Sequence, residues 1–79
     1  MYLRLYGFLP GDDEDDSLKF KLPIDRSFTD QIIKLLGHQD LNAMAEGEWL
    51  LTSEQVVQLS LVIGQTLPAD LDLFIGVAM

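Results

Sequence analysis

The chain has 79 residues and no cysteine, which leaves room for one small core with no disulfide framework or thiolate metal site to reinforce it. Thirteen acidic residues against 5 basic ones give a formal net charge of -8. That balance argues against nucleic acid or an anionic membrane as partner. It favours fast, salt-sensitive encounter with a basic protein, although ordinary solubility explains the same charge.

The opening stretch MYLRLYGFLP lacks the long apolar core of a signal peptide, and no stretch approaches the ~20 apolar residues of a membrane span. We therefore expect a cytoplasmic protein folding as a single domain over residues 1–79. Tyr2 to Phe8 alternates as a strand, with Leu3 and Leu5 on one side and Tyr2, Arg4, Tyr6 and Phe8 on the other. Pro10 and Gly11 end it. Gly11 to Ser17, GDDEDDS, is a charged connection. Leu18 to Leu22 reads as a second strand, with Leu18, Phe20 and Leu22 inward, Lys19 and Lys21 outward, and Pro23 closing it. The two strands form a hairpin with an acidic loop.

Ser27 can cap a first helix whose apolar stripe is Phe28, Ile32, Leu35 and Leu36, with Gly37 as its stop. Residues 38–47 fit either a helical turn or a loop. Glu48 to Leu51 is a short strand. It feeds the stretch with the most apolar surface in the chain. Thr52, Ser53, Glu54 and Gln55 spell a T-x-x-Q capping box, and Gly64 suits a left-handed helix stop. Between them Val56, Leu59, Val62 and Ile63 share one face. Val57, Leu59, Leu61 and Ile63 also alternate as a strand would, but the cap and the glycine decide for helix. Residues 65–70 form a loop holding Pro68. Leu71 to Ala78 then alternates Leu71, Leu73, Ile75 and Val77 with Asp72, Phe74, Gly76 and Ala78, a final strand. The order β-β-α-β-α-β gives an α+β fold, a mixed sheet with two helices packed on one face.

Few residues suggest chemistry. In the run Asp12, Asp13, Glu14, Asp15 and Asp16, the oxygens of Asp12, Glu14 and Asp16 are spaced like the first half of a calcium loop. The second half fails, with Ser17 at the glycine position and Pro23 at the bidentate glutamate position. The run is either a solvated hairpin loop or a recognition loop for a basic surface, which would relieve the mutual repulsion of five carboxylates. His38, the only histidine, cannot build a common zinc site without cysteine, and it follows a helix C-terminus, where a charge suits the dipole. Ser17, Ser27, Ser53 and Ser60 lack a nucleophile-elbow context. Asp70 and Asp72 would share a strand face as an acid pair or, more commonly, as solvated edge residues. The six glycines form no phosphate loop. We expect no enzyme, no cofactor and no metal.

The outer face of the hairpin is a better candidate. Tyr2, Arg4, Tyr6 and Phe8, joined by Lys19 and Lys21, carry the aromatic and arginine types enriched at protein interfaces. A self-contained set of cross-strand and cation–ring pairs is the alternative, and single-stranded nucleic acid is disfavoured by the net charge. Trp49, on the strand feeding the capped helix, is expected in the core or half-buried. The small core and the apolar segments 56–63 and 71–78 also make a homodimer, through a sheet edge or a helix face, an expectation.

The short strand, the LTSEQ helix start and the final LPADLDLFIGV strand, preceded by a hairpin, resemble a group of small bacterial proteins, on Leu51, Thr52, Gln55, Leu67, Asp70, Leu71, Asp72 and Phe74. Such acidic domains are similar to the immunity proteins of polymorphic and contact-dependent toxin systems. The sequence departs from them in its long acidic hairpin loop and its apolar second helix. Leu51, Thr52 and Gln55 have strand and capping roles, so no functional site transfers through them. The resemblance implies a cytoplasmic inhibitor, without catalysis, that binds a cognate toxin domain, often a basic nuclease. Asp12, Asp13, Glu14, Asp15, Asp16, Tyr2, Arg4, Tyr6 and Phe8 are then the expected partner-binding residues. A structural or adaptor module working as a homo-oligomer is the alternative.

Overall fold

The computed structural model describes residues 1–10 and 18–79. Four strands form one sheet: β1 (Tyr2–Phe8), β2 (Phe20–Pro23), β3 (Trp49–Leu50) and β4 (Asp72–Ala78), in the order β2-β1-β4-β3. Every neighbouring pair is antiparallel, where a mixed sheet was expected. The reason lies in the pairing of β1 with β4, which lie far apart in the sequence but side by side in the sheet. All seven residues of β1 are matched to β4, from Tyr2 opposite Ala78 to Phe8 opposite Asp72. The two longest strands thus occupy the protected centre, and the edges are left to a strand of four residues and one of two. Short edges of this kind limit unwanted strand addition.

The α+β architecture is as expected. Alternation along β1 and β4 assigns the two faces of the sheet. Inward rows run Leu22, Leu5, Ile75, Trp49 and Phe20, Gly7, Leu73. Leu3, Leu5, Leu73 and Ile75 are buried there with Ile32, Ile33, Leu59, Met44, Leu51 and Leu67 from the helical side. Gly7 is required by this packing. A Cβ at that position would lie 2.8 Å from Phe20 Cβ and about as close to Leu71 and Leu73. β2 starts at Phe20 rather than Leu18, because Phe20 is the residue that folds over Gly7, while Leu18 is left exposed.

Helices α1 (Thr29–Leu36) and α3 (Ser53–Ile63) contact each other and cover the inward face, with the single turn α2 (Leu41–Met44) beside them. The capping box of α3 is present in full. Gln55 N–H donates to Thr52 Oγ1 (3.1 Å), and Thr52 N–H donates to Gln55 Oε1 (2.9 Å). Gly64 closes the helix at φ 69°. With both ends fixed, Leu59 is driven fully into the core.

The first helix differs from expectation at its start. Asp25, not Ser27, supplies the cap: its carboxylate accepts the Ser27 N–H (2.9 Å) and opens a 3₁₀ turn over Arg26–Phe28 that runs into α1. Packing against α3 as well as the sheet widens the buried stripe of α1. Ile33 joins Ile32 in the core, while Leu35 is only half-buried. Residues 41–44 take the helical alternative, capped by Asp40, which accepts the Ala43 N–H (2.8 Å). Strand β3 is shorter than Glu48–Leu51, although Leu51 N–H still donates to the Leu73 carbonyl (2.8 Å).

Candidate protein-binding face

The helices cover one face of the sheet, and among the described residues no helix covers the other, the open face. Period-two geometry places every other residue of β1 and β4 on that open face: Tyr2, Arg4, Tyr6 and Phe8, opposite Ala78, Gly76, Phe74 and Asp72. One row crosses all four strands as Lys21, Tyr6, Phe74 and Leu50. Tyr2, Arg4, Tyr6, Phe8 and Phe74 are all half-buried, and Leu50 is 59% exposed. A continuous aromatic band therefore meets solvent.

The band is rigid. Phe8 and Phe74 pack edge to face, with centroids 5.8 Å apart and planes at 77°. That arrangement adds about 0.5–1.5 kcal/mol beyond burial. The Arg4 guanidinium lies 4.5 Å from the Tyr6 ring centroid and donates from Nε (2.7 Å) and Nη2 to the Tyr6 hydroxyl. The hydrogen bonding to Tyr6 above all, with a smaller pull from Tyr2, holds the Arg4 proton more tightly than usual. With two donors from Arg4 on its oxygen, the Tyr6 hydroxyl keeps its own hydrogen for an acceptor outside the pair. Gly76 lies beside this pair without crowding it. A Cβ there would lie 3.6 Å from Tyr6 Cε2 and 3.3 Å from Glu48 Cγ.

The structure thus brings together the expected face residues Tyr2, Arg4, Tyr6 and Phe8. Lys21 joins them. Phe74 and Leu50 also belong to the face, and neither was expected there. The alternation of Leu71–Ala78 already put Phe74 on the side away from Leu73 and Ile75. The missing information was that β4 pairs with β1, which no local signal carries. Asp12, Asp13, Glu14, Asp15 and Asp16 lie outside the described residues, as does Ser17.

The other candidates do not converge. Asp70 falls in a bend before β4, so it does not share a strand face with Asp72, which sits opposite Phe8. Trp49 is 38% exposed rather than in the core or half-buried, because β3 is an edge strand of the sheet. Its indole N–H donates to the Met44 carbonyl (3.1 Å), and its ring packs on His38, with centroids 4.8 Å apart. His38 is thereby engaged as a ring partner at the end of α1. Ser60 donates to the Val56 carbonyl (2.8 Å) within α3. Among the described residues, no three His, Asp or Glu side chains are grouped to hold a metal ion, and no helix is long and apolar enough to cross a membrane.

Compared with known proteins, the chain matches no family model, no curated protein and no solved structure. The geometry of the open face therefore carries the functional reading.

Proposed function

We propose that the protein is an immunity-type inhibitor acting in the cytoplasm, which neutralises a cognate basic toxin domain by stoichiometric occlusion. The observation that supports this reading is the open aromatic–arginine face of the sheet on a chain of net charge -8. Tyr, Phe and Arg in a half-buried, preordered band are the residue types that anchor protein interfaces. Preordering reduces the side-chain entropy lost on binding. The negative field draws a basic domain in, and the band holds it. The same field opposes nucleic acid on the band, despite its mixture of rings and cations. Occlusion requires no catalytic group.

The test is binding to the product of the adjacent gene, followed at two salt concentrations. Replacing Asp12, Asp13, Asp15 and Asp16 by Asn slows association and flattens its salt dependence, since exposed charges act on encounter over ~8 Å at physiological salt. Tyr6→Ala and Phe8→Ala speed dissociation and leave association nearly unchanged. Failure to bind any basic protein refutes the reading. An Asn variant that associates as fast as the parent, with the same salt slope, reduces the acidic connection to a solvated turn.

A further inference from the structure

The outward side of α3 carries a second surface, on the opposite layer from the sheet face. Leu59 points into the core, so Val57 and Leu61, each about 200° from it around the helix, point away. They are 60% and 78% exposed. They stand one turn apart and form an apolar ridge. Beside the ridge, Ser60 and Gly64 leave a notch, which opens into a hollow of about 450 Å³ between α3 and the loop that follows it. A second hollow of about 260 Å³ continues past Val56, Val57 and Ala69 toward Leu71. Val57, Leu61 and the first hollow lie within residues 55–69, where there is no Asp, Glu, Lys or Arg, whereas Asp72 lines the far end of the second hollow.

We propose that this strip is the interface through which two copies of the chain associate, α3 against α3 about a two-fold axis. The charge distribution selects a second copy as the occupant. Two chains of charge -8 repel, and they approach most easily where neither presents a carboxylate. The strip is the longest uncharged run in the sequence, with Glu54 and Asp70 only at its ends. A basic partner has no opposite charge to meet there. The shape is self-complementary as well. The Leu61 ridge of one copy enters the Ser60–Gly64 notch of the other, and the reverse contact follows from symmetry. This pairing leaves both open sheet faces free, so it is independent of the inhibitor reading.

An interface made of one 11-residue helix and one loop belongs to the small end of the range, so the dimer dissociates on dilution. Sedimentation equilibrium from low micromolar to near-millimolar concentration should show a monomer–dimer equilibrium. Added salt should strengthen it by screening the repulsion. Leu61→Lys should give a monomer with an unchanged helical circular dichroism spectrum, because the side chain it replaces is mostly exposed. The absence of native cysteine allows a second readout. Leu61→Cys, close to the two-fold axis, should cross-link into a disulfide dimer under mild oxidation, whereas Lys21→Cys on the open sheet face should not. A monomer mass at every concentration overturns the proposal. So does a dimer that persists in Leu61→Lys, or equal cross-linking from positions 61 and 21. Should Leu61→Lys lose its fold, the cysteine pair decides.

Discussion

Thr52→Ala isolates one half of the capping box on which α3 depends. The substitution removes Oγ1, the acceptor of the Gln55 N–H, and leaves Gln55 Oε1 still accepting the Thr52 N–H. Both groups are near solvent, so the freed N–H is hydrated and no desolvation cost is added. The expected loss is therefore the ordinary cap value, about 1 kcal/mol. A core of this size leaves roughly 3–5 kcal/mol of stability, so the loss is a fifth to a third of the total. It corresponds to a fall in Tm of about 4–8 °C. Thr52→Ser keeps the oxygen, and serine caps a helix at least as well as threonine, so it should leave stability unchanged. Gln55→Ala removes the reciprocal bond and should cost about 0.5 kcal/mol, and the double variant should fall short of the sum because the two bonds order the same turn. Urea unfolding followed by the fluorescence of Trp49, the single tryptophan, reads the parent and all four variants. The urea slope should not change, since the surface exposed on unfolding is the same. An Ala variant with the parent midpoint, or a Ser variant as weak as Ala, refutes the capping argument.

Two further predictions rest on close contacts and on charge. Gly7→Ala forces a Cβ to 2.8 Å from Phe20 Cβ inside the core and should destabilise by about 1–3 kcal/mol, whereas Gly76→Ala meets the flexible Glu48 side chain and should cost far less; urea midpoints distinguish them. The Ser27 N–H holds the Asp25 carboxyl below its ordinary value, so its contribution to stability is complete above about pH 4 and is lost as pH falls through the lowered native value. Asp25→Ala should therefore be less stable than the parent at neutral pH, with the difference closing below pH ~4 in acid titrations followed by circular dichroism.

Local signals in the sequence were sufficient where the structure is local. The T-x-x-Q box needs four residues and Gly64, and nothing elsewhere in the chain competes with it. Alternation in β1 separated Leu3 and Leu5 from Tyr2, Arg4, Tyr6 and Phe8 because a buried strand tolerates only one phase. The errors share a different cause. Asp25 and Ser27 are both good caps, and which one serves depends on the extended conformation that Asp25 adopts after β2. Ile33 outranked Leu35 because α1 packs against α3 as well as the sheet, which widens its buried stripe. Trp49 was expected in the core or half-buried because its strand feeds the capped helix. Its exposure follows from the position of β3 at the edge, a property of strand order. The open face was half legible for the same reason: its β1 half is a local pattern, and its β4 half is a pairing.

On the proposed inhibitor reading, the distribution of charge would give the two surfaces different tasks. Arg4 and Lys21, two of the five cations, sit on the open face among the rings, while the five acids at 12–16 follow in the connection between the same two strands. A basic partner guided by the acids meets cations on the face it must dock against. Close approach there is favourable only if the rings remove enough water, or if the partner contributes acceptors of its own. The Tyr6 hydroxyl, already accepting from Arg4, offers a hydrogen to such an acceptor. A merely basic surface would be attracted and then held weakly. A basic domain carrying a carboxylate or an exposed carbonyl within an apolar patch would be retained. Charge then sets how fast partners arrive, and the face sets which one stays. The α3 strip carries neither sign, so it takes no part in that selection.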